Sequence, residues 1–284
     1  MKILVTGYTG QLGYDVVIQG MQQGHHMIGI GTKQLDITNK EAVALYVKNV
    51  KPDAIIHCAA FTAVDKAEDD RDICENVNVN GTNNLAQVAK QIDARFIYIS
   101  TDYVFNGKGE SPYKEEEEPN PIGHYGKTKL AGEEIVKKTL DKYFILRISW
   151  VFGVNGNNFV KTMLRLSENH DELNIVGDQV GSPTYTSDLA KLIMEMIVSD
   201  KYGVYHASNE GFCSWAEFAK EIFRQANIKV EVNSITTEDY PTKAARPRNS
   251  RMSKQKLMEN GFNPLPTWQD ALDRYIKQLT HEVK

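Results

Sequence analysis

KILVTGYTGQLG, residues 2 to 13, decides the fold. The run Ile3-Leu4-Val5 is apolar at every position, as expected of a strand covered on both faces. Gly7, Gly10 and Gly13 follow in GxxGxxG spacing, and the segment from 11 to 23 has the apolar periodicity of a helix. Glycines placed so let the backbone turn tightly, let a pyrophosphate approach, and let helix pack on strand, while the helix N-terminus favours negative charge. A plain glycine-rich turn is the competing reading. The position of the triplet, after the first strand and at the opening of the first helix, favours a dinucleotide site.

Outward from this stretch the same alternation continues. HMIGIG (26–31), DAIIHCAA (53–60), RFIYIST (95–101) and YFILRISWVFG (143–153) read as strands, and 73–92 and 126–140 as helices. Unbroken apolar strands separated by helices imply an α/β chain built on a Rossmann-like, doubly wound parallel sheet. From about residue 154 the pattern loosens. NIVGD, GVYHASN and KVEVNSI read as short strands, and 187–198, 214–226 and 267–279 as helices. Residues 1–153 are therefore expected to form mainly the dinucleotide-binding domain. Residues 154–284 are expected to form mainly a smaller α/β substrate lobe, interleaved with the first. The acidic run at 115–118 reads as a solvated loop.

The bulk properties narrow the function. A net charge of −4 over 284 residues argues against nucleic acid as the main partner. No apolar run is long enough to span a bilayer. Cys58, Cys74 and Cys213 give no disulfide framework, which fits a reducing, cytoplasmic compartment, and Cys58 reads as a small core residue. The N-terminus reads as a strand rather than a signal peptide.

Further along, several residues fit a cofactor cleft. The second strand ends in Gly31, Thr32 and Lys33, with no acid to bind a ribose 2′-hydroxyl, so NADPH is favoured over NADH, although Lys33 also reads as a plain surface lysine. Asp36 and Ile37 could flank the adenine. Ala59, Ala60 and Thr62 follow the third strand, where small side chains would let a cofactor lie close. Tyr125 and Lys129 stand one helical turn apart, so both can face one cleft, and a neighbouring ammonium is expected to lower the phenol pKa. Thr101 ends the fourth strand, on the edge where parallel sheets bind ligands. Each of these patterns is common alone. Their coincidence favours a catalytic pair over a surface accident.

The chain resembles the extended short-chain dehydrogenase/reductase family, and within it the branch of dTDP-4-dehydrorhamnose reductases. GYTGQLG (7–13), LDIT (35–38), AAFTAVDKAE (59–68), NVNGTNNLA (78–86), STDYVFNG (100–107), YGKTKLAGE (125–133), RISWVFG (147–153), VGSPTYT (180–186) and RPRNSRMS (246–253) carry the resemblance across nearly the whole length. The resemblance implies that Tyr125 protonates the substrate oxygen, that Lys129 holds the nicotinamide ribose and tunes Tyr125, and that Thr101 binds the carbonyl oxygen. It implies that Asp102 and Trp150 contact the sugar nucleotide, and that Gly10, Gln11, Leu12, Asp36, Ile37, Ala59, Ala60 and Thr62 line the dinucleotide.

Related dehydratases carry a second acid after Thr-Asp. Here Tyr103 stands in its place, so simple ketone reduction is expected: the 4-keto group of dTDP-4-dehydro-L-rhamnose, with NADPH first and NADH second, for a surface polysaccharide. Another sugar-nucleotide reductase or epimerase, or a non-catalytic regulatory subunit of the same branch, are the alternatives. Arg246 and Arg248 have the fork geometry to bind a diphosphate, against the alternative of two solvent-facing arginines. Gly181, Ser182, Pro183 and Thr184 read equally as a turn near the substrate or a structural turn. His124 is given no role. The branch has been associated with magnesium, but no metal-ligand spacing is present, and Asp15 and Asp188 read as exposed carboxylates. The resemblance also allows a homodimer.

Overall fold

The computed structural model describes residues 1–282, so the last two residues of the expected second lobe lie outside the described residues. The chain opens with β1 (Lys2–Thr6), α1 (Gln11–Gln22), β2 (His26–Ile30), α2 (Lys40–Val50), β3 (Ala54–His57), α3 (Arg71–Glu75), α4 (Thr82–Gln91), β4 (Arg95–Thr101), α5 (His124–Thr139) and β5 (Tyr143–Ile148). It continues through β6 (Val151–Phe152), α6 (Phe159–Leu166), β7 (Glu172–Val176), β8 (Val180–Gly181), β9 (Thr184–Tyr185), α7 (Thr186–Ile197) and β10 (Gly203–His206). It ends with β11 (Cys213–Ser214), α8 (Trp215–Ala226), β12 (Glu231–Ile235), β13 (Asn249–Ser250), α9 (Gln255–Glu259) and α10 (Trp268–Glu282).

Six strands form one parallel sheet in the order β2-β1-β3-β4-β5-β10. Successive side chains of a strand point to opposite faces. Ile3, Val5, Ile56 and Ile97 therefore pack on one face with residues of α1 and α7, and Leu4, Ile55, Phe96 and Tyr98 on the other with residues of α2, α4 and α5. This double burial is why the strands read as continuous apolar runs. The strand order reverses between β1 and β3, and a ligand crevice opens at such a reversal, beyond the carboxyl ends of the strands.

A third core joins Phe152, Tyr185, Phe218, Trp268 and Tyr275. Around it lie β12 paired with β7, β6 with β9, and the small sheet β11-β8-β13. The GVYHASN strand, assigned by sequence to the loose C-terminal part, returns as β10 to the edge of the main sheet, beside β5.

Three expectations need correction, and one helix is an addition to them. The strand expected from 143 to 153 is two: β5 stops at Ile148, Trp150 turns the chain at φ 50, and β6 pairs with β9 instead. The helix expected from 73 to 92 contains a π-helical segment, Asn76–Gly81, with Asn78 turned inward. Helix α2 escapes the sequence reading, although Asn39 caps it through Ala42 N and Val43 and Val47 bury one face. The acidic run is not wholly solvated: Glu115 is buried and accepts from the His206 amide at 3.0 Å.

Candidate active site

A cleft of about 560 Å³ runs along the carboxyl ends of the strands. At one end it is walled by Gly7, Gly10, Gln11, Leu12, Asp36, Ile37, Ala59, Ala60 and Thr62, and at the other by Thr101, Asp102, Tyr125, Lys129 and Trp150. Gly7 has φ +70, and a Cβ there would stand 2.6 Å from Ala59 N. A Cβ on Gly13 would meet Gly7 O at 2.4 Å, so Gly13 serves the close packing of α1 beneath the turn and is not itself part of the wall. Gly10 caps α1 without a side-chain hydrogen bond, so no side chain takes the place of an anion at that N-terminus. Asn155, from beyond β6, clamps the turn by donating to the carbonyls of Thr9 (2.7 Å) and Gly10 (3.0 Å). These features fit a dinucleotide. Lys33 is exposed and does not line the cleft, whereas its neighbour Thr32 does. Asp36 is folded back on its own loop, where its Oδ1 accepts from Thr38 N and Oγ1 at 2.9 and 2.8 Å.

At the other end, Thr101, Tyr125 and Lys129 come together as the sequence suggests. The Thr101 hydroxyl donates to Asp102 Oδ1 at 3.0 Å, and Tyr103 packs edge-on against the Tyr125 ring at 5.6 Å. The expected lowering of the phenol pKa by Lys129 is not seen. Burial pushes the Tyr125 pKa up, the Asp102 charge pushes it further, and the Thr101 hydroxyl pulls back only in part. The phenol is thus held protonated, as a proton donor requires. Lys129 is buried, with Nζ 4.1 Å from the centre of the Tyr98 ring. Burial drops its pKa to about 7, against the opposing pull of Glu133. Asp102 is also buried; burial raises its pKa to about 6, partly offset by the Ser250 and Thr101 hydroxyls. Among the described residues its buried Oδ2 has no partner in hydrogen-bond geometry, an unsatisfied acceptor in a residue that lines the cleft.

One buried network pins these groups. Glu133, two turns along α5 from Tyr125, accepts from Ser100 Oγ at 2.6 Å and from Arg147 Nε and Nη2 at 2.9 and 2.8 Å. Ser100 precedes Thr101 on β4, and Arg147 lies on β5. The helix carrying the tyrosine and lysine is thereby locked to the strand end carrying the threonine.

Trp150 reaches the cleft by an unusual backbone. Its φ of 50 is left-handed, a conformation that costs a bulky residue about 1–3 kcal/mol and persists only where the surroundings over-determine it. Its carbonyl accepts from Thr184 N at 3.1 Å, and its indole stacks on Trp215. The 181–184 turn thus supports Trp150 and does not line the cleft itself.

Arg246 and Arg248 also stand outside the cleft wall. Arg246 makes a forked pair with Asp65, at 2.7 and 3.1 Å, which lowers that carboxyl to about 2. Arg248 pairs with Glu238 and lies 3.7 Å from Asp178. His124 opens α5, its amide donating to Glu68. Asp188 is not exposed: it is buried in a fork with Arg274 at 2.8 and 2.7 Å. Asp15 accepts from the Thr186 hydroxyl. Cys58 is half-buried and forms part of the cleft wall rather than lying wholly in the core. The sequence gives Tyr103 no place against the Tyr125 ring, although it stands only two residues after Thr101. Asn155 is missed altogether, since it carries no local signal.

A doubly wound parallel sheet, a glycine turn after β1 and a Tyr-x-x-x-Lys pair lining the same cleft define the extended short-chain dehydrogenase/reductase class. Within it, the RmlD substrate binding domain model matches residues 1–281, and the chain belongs to that family. The spore coat polysaccharide biosynthesis protein SpsK of Bacillus subtilis is 41% identical over 98% of this chain and 97% of its own length. Among solved structures, a dTDP-4-dehydrorhamnose reductase of Clostridium acetobutylicum superposes with a TM-score of 0.97, 44% identity and coverage of 99% and 100% of the two chains. One from Bacillus anthracis, in complex with NADP, gives a TM-score of 0.95 and 44% identity over 98% and 100%.

Proposed function

We propose that the protein reduces the 4-keto group of dTDP-4-dehydro-L-rhamnose to give dTDP-L-rhamnose, with NADPH as the preferred reductant. The observation that carries this reading is the meeting of Thr101, Tyr125 and Lys129 on the wall of the same cleft that begins at the glycine turn. When bound, the nicotinamide supplies the hydride to the carbonyl carbon. Gly7, Gly10, Gln11, Leu12, Ala59, Ala60 and Thr62 would hold the dinucleotide, with Asp36 and Ile37 at its adenine end. Thr101 receives the carbonyl oxygen, and Tyr125 gives that oxygen its proton as charge develops there. Lys129, turned toward the same cleft, holds the ribose and, once charged, offsets the phenolate left on Tyr125. Asp102 accepts from a sugar hydroxyl, and Trp150 walls the sugar. Arg246 and Arg248 take the diphosphate by exchanging their carboxylate partners for phosphate oxygens, which are geometrically equivalent acceptors.

Tyr103 occupies the place where a dehydratase would need its second acid, which favours reduction over loss of water. NADPH is favoured because no acid ends β2 and Asp36 is engaged by Thr38. The NADP held by the Bacillus anthracis relative agrees with this preference. Three free thiols suit a reducing compartment, and we place the reaction in the cytoplasm, supplying rhamnose for a surface polysaccharide. The test is loss of the reduced-nicotinamide absorbance on mixing protein, keto-sugar nucleotide and NADPH or NADH. Fast oxidation with NADPH, slower with NADH, and a rhamnose nucleotide as product are expected. Cofactor binding without oxidation would overturn the reading.

A further inference from the structure

We propose that Trp215, from the second lobe, is a positioning residue for the sugar-nucleotide half of the cleft, acting entirely through Trp150. The proposal rests on the reductase reading above.

The two indoles lie face to face, with centroids 3.6 Å apart and planes inclined by 14°. Trp150 walls the cleft, and Trp215 does not. The backbone of Trp150 is left-handed, so the strand alone does not dictate where its ring points. Two surfaces decide that. On one, Gly181 leaves the room the ring needs: a Cβ there would stand 2.9 Å from Trp150 Cε2. On the other is the Trp215 ring. Trp215 is itself well fixed. It opens α8 directly after Ser214, whose hydroxyl accepts from Glu217 N while the Glu217 carboxylate accepts from Ser214 N, closing a capping box. Phe159 packs against its indole at 4.7 Å.

A single small sheet links these parts. Strand β8 carries Gly181, and it pairs with β11, which ends at Ser214, and with β13, which carries Ser250. The placement of β8 and β11 therefore sets the Trp150 ring from both sides: through Gly181 on one and, through Ser214 and the start of α8, through Trp215 on the other. The cofactor half shares none of these contacts. A residue acting this way should affect sugar-nucleotide binding and leave cofactor binding alone.

The experiment combines steady-state kinetics with near-ultraviolet circular dichroism on Trp215→Phe, Trp215→Ala, Trp150→Ala and the double alanine variant. Stacked indoles couple electronically, so the wild-type protein should show an exciton couplet that all four variants lack. Trp215→Ala should raise KM for the keto-sugar nucleotide about threefold to tenfold, the range an aromatic pair supplies. Its kcat should change less than twofold and its NADPH Kd should not move. Trp215→Phe, which keeps a ring to stack on, should restore KM, and this separates lost stacking from misfolding. The double variant should be no worse than Trp150→Ala alone, because the two residues act in series. Wild-type KM in Trp215→Ala, additive losses in the double variant, or a parallel rise in NADPH Kd would overturn the proposal. Titration with dTDP-L-rhamnose, which carries the sugar, read by its effect on the couplet in wild type and by calorimetry in the variants, keeps the outcome separate from the reductase reading. Absence of turnover in the wild-type chain would sink that reading, whereas an unaltered dTDP-L-rhamnose affinity in Trp215→Ala would sink this one.

Discussion

The two halves of the cleft are built by different means. The cofactor half is drawn largely from short contiguous stretches at the ends of β1 and β3 and just beyond β2, and its key groups are glycines and small residues whose role is to leave space. The sugar half is assembled from β4, α5 and the break after β5, backed by the small sheet β11-β8-β13, and its groups include the buried Asp102 and Lys129 and the strained Trp150. The first kind of site needs only local backbone geometry. The second needs β9 and α8 in place before Trp150 has a defined position.

The largest expected effect lies where the halves meet. Tyr125→Phe removes the proposed proton donor and should lower kcat by about 10²–10⁴, the usual contribution of a positioned acid. NADPH affinity by fluorescence titration should stay within about twofold. A large loss of cofactor affinity would show that the halves are not separable at this residue.

Breaking the pin behind both halves comes next. Glu133→Ala leaves the Arg147 guanidinium, 1% exposed, without its carboxylate. Losing one partner of a buried pair costs about 3–5 kcal/mol, which denaturant titration would read as a lower midpoint with unchanged slope. A loss under about 1 kcal/mol would mean that water or Glu115 replaces the carboxylate.

Gly7→Ala should act on the cofactor half alone. The φ of +70 and the 2.6 Å approach to Ala59 N oppose a Cβ there. The expected result is a rise in NADPH Kd of at least about tenfold, since non-glycine strain and backbone displacement together reach the roughly 1.4 kcal/mol that a decade requires. KM for the sugar nucleotide at saturating cofactor should change little.

Asp102→Asn gives the smallest effect on stability and the clearest pH signature. The folded pKa of Asp102 is raised to about 6 from an ordinary 3.8, so the unfolded state ionises first as pH rises. The native state is therefore penalised by this group above pH 6, and the penalty fades as pH falls from about 6 to below 4. The variant should be more stable than wild type at pH 8, by up to about 2–3 kcal/mol, because a tenfold difference in proton affinity between folded and unfolded chains is worth about 1.4 kcal/mol. Near pH 4 this gain should vanish. The substitution should also raise the sugar-nucleotide KM. A gain that grows toward acid pH, in denaturant titrations run across the range, would contradict the burial argument.

How much the sequence discloses follows the same division. The glycine turn, the parallel sheet and the Tyr125–Lys129 spacing are short-range patterns, and each stands where the pattern implies. The break at Trp150 is hidden because an apolar run, SWVFG, gives no sign that its backbone turns left-handed. Asn155 and Trp215 are hidden because their partners, Thr9 with Gly10 and Trp150, lie far away in sequence. The direction in which the Tyr125 pKa moves is hidden for a related reason: spacing puts an ammonium and a phenol on one helix face, but only the folded environment reveals that burial and Asp102 set the phenol and that the ammonium is not among the groups acting on it. Lys33, Arg246 and Arg248 show the converse. Their charge suits phosphate, but charge alone does not tell whether a side chain faces a cleft, solvent or a carboxylate.

The most direct test of carbonyl reduction in this cleft is isotope transfer. The protein would be incubated with dTDP-4-dehydro-L-rhamnose and NADPH carrying deuterium at the transferable position, and the product read by mass spectrometry and proton NMR. One deuterium at C4 of a rhamnose nucleotide is the predicted result. A product without deuterium, or an epimer labelled from solvent, would contradict it.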